Sequence, residues 1–297
     1  MNARSSRSFH EALNGPRKRN SASSTSQRAV TIRGLSSAVQ IDPGLAAQSG
    51  TSPVARPRPL APARSRLWVE ALAVVWLLWV YDAITNLAPL RLSTALGHAR
   101  GILSFEQTLG IAPEHALDSW LAGHRTLGLI LSDYYDNAHF IVTLGLLGWL
   151  WWARADIYRG LRSSLVLINV LGFVVFWRYP VAPPRMLHGF TDVVASTHAI
   201  GSWHSGALAS QANQLAAMPS LHIAWALWCT VAVWKLTRRP WLRAAAVIYP
   251  FLTGFAVLAT GNHFVLDILG GALVTLIAVA VVHLVTAGRS RGRPASV

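Results

Sequence analysis

His263 and Asp267 are four residues apart, a spacing that places both on one face of a helix. An aspartate so placed accepts the proton of one ring nitrogen and leaves the other nitrogen with its lone pair open. An imidazole held that way is a better nucleophile or ligand. A second histidine, His222, follows Pro219-Ser220-Leu221. Pro219 suits a first helical turn, where its missing N–H costs nothing. Ser220 and the amides of that turn can receive an anion. Arg185 ends the stretch Arg178-Tyr-Pro-Val-Ala-Pro-Pro-Arg185 and offers a fork that grips phosphate oxygens. A histidine pair, an orienting carboxylate, an arginine and a helix start together point to phosphoryl chemistry.

Such residues need elements to carry them, and the composition says which kind. The 297 residues are 53% hydrophobic and 13% charged, about half the charged fraction of a soluble domain. Six segments are long enough to cross a hydrocarbon core, at about 67–88, 126–153, 161–178, 219–236, 241–260 and 263–287. Between the first two, residues 92–122 alternate apolar positions with Glu106, Glu114 and Asp118, which suits a helix in the interface. The expected fold is all-α, a polytopic six-helix membrane bundle over 67–287. Residues 288–297 form a cytoplasmic tail. Ahead of the bundle, residues 1–66 hold 11 of the 26 basic residues against Glu11 and Asp42 alone, and read as a disordered basic leader. An organelle transit peptide has a similar composition. A soluble nucleic-acid binder is excluded despite the net charge of +14. Cys229, the single cysteine, excludes an intramolecular disulfide and an all-cysteine metal site.

Basic residues set the orientation. The leader, Arg154, Arg159 and Arg162, then Lys235 to Arg243, then Arg289 to Arg293 fall on one side. Both termini are therefore expected in the cytoplasm. The three motifs, ending at Arg185, starting at Pro219 and spanning Gly261 to Asp267, then share the outer face. Asp82 and Asn86 near the outer end of the first span, and Tyr135 and His139 in the second, join them as possible lining, with Tyr179 beside Arg178. Ionisable groups inside spans are costly and face a polar cavity or a partner, so one outward-opening site is expected. Each residue also has a structural reading, as interfacial hydrogen bonder, stiff turn or helix-packing glue. Three motifs meeting on one face favour a site.

The ordered motifs, Pro219-Ser220-Leu221-His222 and then His263-Phe-Val-Leu-Asp267, with Tyr179-Pro-Val-Ala-Pro-Pro-Arg185 before both, resemble the type 2 phosphatidic acid phosphatase superfamily. Within it they look like the branch of inositol phosphorylceramide synthases. The resemblance covers about 70–287 and implies a metal-independent, two-step reaction with no cofactor. His263 would attack phosphorus, Asp267 would orient it, and His222 would act as general acid and then base. Arg185 and Ser220 would bind the phosphate. The phosphatases' Lys-x6-Arg-Pro motif is absent, and Val-Leu-Ala-Thr-Gly-Asn262 stands where Ser-Arg is usual.

The function these features imply is a lipid-phosphate phosphotransferase or phosphatase in the cell membrane, with its site on the extracytoplasmic side. It would pass a phospho-headgroup from a membrane lipid to an alcohol or water. Two other classes use the same residues: a transporter of an anionic substrate, or a metal-dependent hydrolase with His222, His263 and Asp267 as ligands.

Overall fold

Long apolar runs broken by charged or Gly/Pro-containing links produce helices and little else. The computed structural model describes residues 91–197 and 215–291, with parts of the helical stretch between 68 and 83. The leader 1–66, Asp82, Asn86 and the tail from residue 292 lie outside the described residues. In chain order the helices are α1 (Trp68–Leu77), α2 (Leu92–Thr108), α3 (Glu114–Ala122), α4 (Arg125–Ala153) and α5 (Ala155–Arg178). There follow α6 (Val193–Thr197), α7 (Leu221–Leu236), α8 (Pro240–Ala259) and α9 (Val265–Arg291), with a 3-10 turn at Pro184–Met186 between α5 and α6. No strand occurs among the described residues, where an isolated parallel bridge pairs Val181 with Ala216.

Three of these helices are long and apolar enough to cross a membrane: Ala155–Arg178, Pro240–Ala259 and Val265–Gly288. The other expected spans differ for identifiable reasons. α7 is strongly apolar but has 16 residues, so it falls short of the usual ~20. α4 has 29 residues, ample length, but carries Asp133, Asp136 and His139 in its interior. The expected third span, 161–178, is the end of a longer helix. α5 begins at Ala155, where Arg154 donates to both Asp156 oxygens at 2.9 and 2.7 Å.

α7 sits at the centre, packed against α8 and α9, while α5 packs against α9. A helix that is apolar on all sides belongs inside, and Ala224, Ala226, Trp228 and Ala232 are fully buried. Trp228 Nε1 donates to the Leu161 carbonyl at 2.9 Å and to Ser164 Oγ at 3.2 Å. The core there also includes Leu161, Leu165, Ile168, Val274 and Ala278. At α1, Glu70 accepts from Arg162 of α5 at 2.8 Å.

The stretch 92–122 is two helices rather than one. Gly110, at φ +71°, and Pro113 break it between α2 and α3. Its acids do not face outward. Glu106, Glu114 and Asp118 are all fully buried, and their partners lie near the start of α9 and in the segment before α6.

Candidate active site

Three turns of backbone converge around His263. The first leaves α8: Gly261 takes φ +66°, and its N–H reaches the Leu258 carbonyl at 3.1 Å. Only glycine fits this corner, since a Cβ would lie 2.9 Å from Asp118 Oδ1 and 3.3 Å from the Thr191 carbonyl. The second is the segment after α5, where Val181 exchanges hydrogen bonds with Leu215 and Ala217 at 3.1 Å each. The third is the entry to α7, through a cis Met218–Pro219 bond. Pro219 thus stands before the helix rather than in its first turn. Ser220 is the N-cap residue, with extended backbone, and its N–H donates to the Asp267 carbonyl at 2.9 Å.

His263 is buried, and its Nδ1 lies 2.9 Å from the Ala217 carbonyl and 3.4 Å from Asp267 Oδ2. A carbonyl only accepts, so Nδ1 carries the proton and Nε2 keeps the lone pair. Asp267 was the expected partner of the ring, and the nearer acceptor is a main-chain carbonyl. Asp267 Oδ2 also accepts the Phe264 N–H at 2.9 Å, so the carboxylate fastens the turn that holds the ring.

His222 lies across from it, the two ring centroids 5.6 Å apart at 65°. Tyr135 stacks on His222 at 4.4 Å, and His139 meets it edge-on at 4.3 Å. Tyr135 and His139 of α4 thus both stand against His222. Tyr179 is not brought to the pair. It stacks on His98 at 3.9 Å, and His98 Nδ1 lies 2.8 Å from the Pro180 carbonyl.

Arg185 is held at the same turn as His263. Its N–H donates to the Gly261 carbonyl at 2.8 Å, Nη1 donates to Asn262 Oδ1, and Nε lies 3.3 Å from Asp192 Oδ2. Asn262 is itself fixed, giving Nδ2 to Thr260 Oγ1 at 2.8 Å. With Nη1 and Nε engaged, Nη2 is the corner of the fork left to grip an anion. Ser220 Oγ is buried with no hydrogen-bond partner, at a helix N-terminus whose first amides have no intrahelical acceptor.

Five residues act here in ways that no motif in the sequence announces. Asn262 fixes Arg185, and Gly271 lets α9 close on Ser220, whose carbonyl a Cβ would meet at 2.3 Å. Glu114 Oε1 and Glu106 Oε1 accept the Val265 and Leu266 amides at 2.9 and 2.6 Å. The signal for the two glutamates was their presence in an otherwise apolar stretch of an acid-poor chain. Asp118 Oδ2 accepts the Thr191 N–H at 2.9 Å, and burial raises its pKa above the ordinary value. Among the described residues, no three His, Cys, Asp or Glu side chains are grouped to hold a metal ion, and His222, His263 and Asp267 form no such set.

A family model described as the PAP2 superfamily matches residues 100–281, a stretch that contains every group in this cluster. No curated protein and no solved structure matches the chain.

Proposed function

We propose, from the premise that this chain belongs to the PAP2 superfamily, that it is an integral membrane lipid-phosphate phosphotransferase working through a phosphohistidine. Membership supports a phosphatase or phosphotransferase acting on lipid phosphate. The observation that carries the finer reading is the ring pair: His263 with Nδ1 on the Ala217 carbonyl, and His222 opposite at 5.6 Å.

In the first half-reaction, Nε2 of His263 attacks phosphorus as the P–O bond to the leaving alcohol breaks. Protonated His222 gives that alkoxide its proton. The phosphoimidazolium retains its Nδ1 proton, which the Ala217 carbonyl and Asp267 stabilise. In the second half, an acceptor alcohol or water gives a proton to His222 and attacks phosphorus. The P–N bond breaks and His263 is restored. Arg185 and Ser220 hold the non-bridging oxygens.

Transfer to an alcohol is favoured over hydrolysis. Arg185 already serves Asp192, and a single shared guanidinium suits the one charge of a phosphodiester better than a dianion. The Pro219–His222 stretch also looks like that of inositol phosphorylceramide synthases. The basic flanks of the helices support a site on the extracytoplasmic side, with both termini in the cytoplasm.

The test uses purified protein, headgroup-labelled phospholipids and an added alcohol. The reading expects label to move to the alcohol, and His263→Ala to abolish all turnover. Phosphate release with no dependence on alcohol would assign a phosphatase. Undiminished turnover by His263→Ala would remove the mechanism.

A further inference from the structure

The start of α9 is held by two carboxyl groups that the phosphotransfer steps do not use. Glu106 comes from α2 and Glu114 from α3, and neither has any solvent exposure. Each gives one oxygen to α9: Glu114 Oε1 takes the Val265 N–H and Glu106 Oε1 takes the Leu266 N–H. Those residues lie between His263 and Asp267. The first-turn amides of a helix have no partner of their own, so these two bonds decide how the turn is seated.

The second oxygens tell more. Glu106 Oε2 and Glu114 Oε2 are both buried, and neither meets a donor from the rest of the protein. Because Oε1 of each sits on one of two consecutive amides, Val265 and Leu266, the two carboxyl groups stand side by side. As two carboxylates they would set like charges together in a dry site. One proton between them satisfies both oxygens and removes the repulsion.

We propose that Glu106 and Glu114 form a carboxylic acid–carboxylate pair that positions His263 through the first turn of α9, and that loss of their shared proton unseats the ring. They are positioning residues, touching neither substrate nor the reacting atoms. The charged groups acting on Glu106 are Glu114 from α3 and Asp267 from α9; the Leu266 amide opposes them by favouring the carboxylate. Burial is the largest influence, and together these groups push Glu106 up to about 8. Below that pH Glu106 keeps its proton and adds no charge beside Asp267. Above it a second charge appears beside Asp267, and the turn carrying His263 is strained apart.

The inference rests on His263 as the reacting group, but its test does not require turnover. Full-length protein carrying ¹⁵N-labelled histidine is reconstituted in phosphatidylcholine nanodiscs, and the His263 ring signals are assigned by their loss in His263→Asn. In the wild type they should report the Nδ1–H tautomer at neutral pH and change between pH 7.5 and 9. Glu106→Gln keeps an acceptor for Leu266 and gives Glu114 a permanent donor. It should hold the neutral-pH spectrum to pH 9. Glu106→Ala should disturb the ring at every pH. If Glu106→Ala does not fold, the glutamine variant decides alone.

A His263 signal that changes with pH equally in wild type and Glu106→Gln would overturn the proposal. So would a wild-type signal unchanged to pH 9. Where the wild type also turns over a lipid donor, Glu106→Gln should extend kcat to higher pH with KM unmoved. Absence of any turnover with the ring behaviour as expected would count against the enzymatic reading and leave the carboxyl pair standing.

Discussion

His263 shows how much of the geometry here is settled by main-chain neighbours. The ring is oriented by the Ala217 carbonyl at 2.9 Å, nearer than Asp267 at 3.4 Å. No side-chain pattern announces such a partner, and His263 stands two residues before α9 rather than sharing one helical face with Asp267 as the four-residue spacing suggested. Asp267 still matters, because its Oδ2 accepts the Phe264 N–H that shapes the turn. Arg185 stood out in the sequence by type alone, whereas its partners, Asp192 seven residues on and Asn262 far along the chain, carry no pattern that announces them. Arg185→Lys keeps the charge and loses the planar fork. A charge-assisted bond contributes roughly 1.5–3 kcal/mol, so KM for the lipid donor should rise about tenfold or more. Steady-state kinetics checks this, and an unchanged KM would place the phosphate elsewhere.

At the scale of elements, the site depends on how closely α7 meets α9. Gly270 and Gly271 face Pro219 and Ser220, and a Cβ on Gly271 would stand 2.3 Å from the Ser220 carbonyl. Backbone cannot yield as a flexible side chain does, so Gly271→Ala should force the helices apart. Overpacking of this kind costs about 1–3 kcal/mol. A thermal melt should show the loss, and kcat should fall because Ser220 and His222 move with α7. The helices themselves follow from apolar runs and Gly/Pro breaks, and the expected bounds of α7, α8 and the start of α9 fall within two residues of those observed. The burial of Glu106 and Glu114 did not follow. Alternation of acids with apolar residues reads as an interfacial helix until the α9 amides that receive them are known. Glu106 also gives a sign to stability. Its carboxyl is raised from an ordinary 4.5 to about 8, so the folded chain binds more protons than the unfolded one across that window. Stability should therefore be greatest below pH 4.5 as far as this group is concerned, and be lost as pH rises through about 8. Melts of wild type and Glu106→Gln from pH 5 to 9 isolate the contribution, which the glutamine variant should lack.

Over the whole molecule, the distribution of charge and the placement of the site agree. Arg154, Arg159 and Arg162 flank one end of α5, and Lys235 to Arg243 join α7 to α8, while the histidine pair gathers at the opposite helix ends. The orientation is read from the sequence because basic residues are costly to translocate and mark the side that stays behind. The number of spans was less so. α4 reaches about 43 Å at 1.5 Å per residue, enough to cross, yet buries Asp136 and Ser132 against its neighbours instead of presenting an apolar surface all round. A reporter fused after Val297 should be active in the cytoplasm. Activity only outside would invert the bundle and move the site to the other face.

Carriage of phosphorus on His263, as proposed, would leave a covalent trace on the protein. Rapid acid-free denaturation during turnover of a ³²P-labelled phospholipid donor, followed by peptide mapping, tests it most directly. An acid-labile, base-stable adduct should appear on the peptide containing His263. It should be absent from His263→Ala, and persist longer in His222→Ala when the donor has a leaving group that needs no proton. Phosphate found on His222, or an active wild type that never holds a covalent adduct, would contradict it.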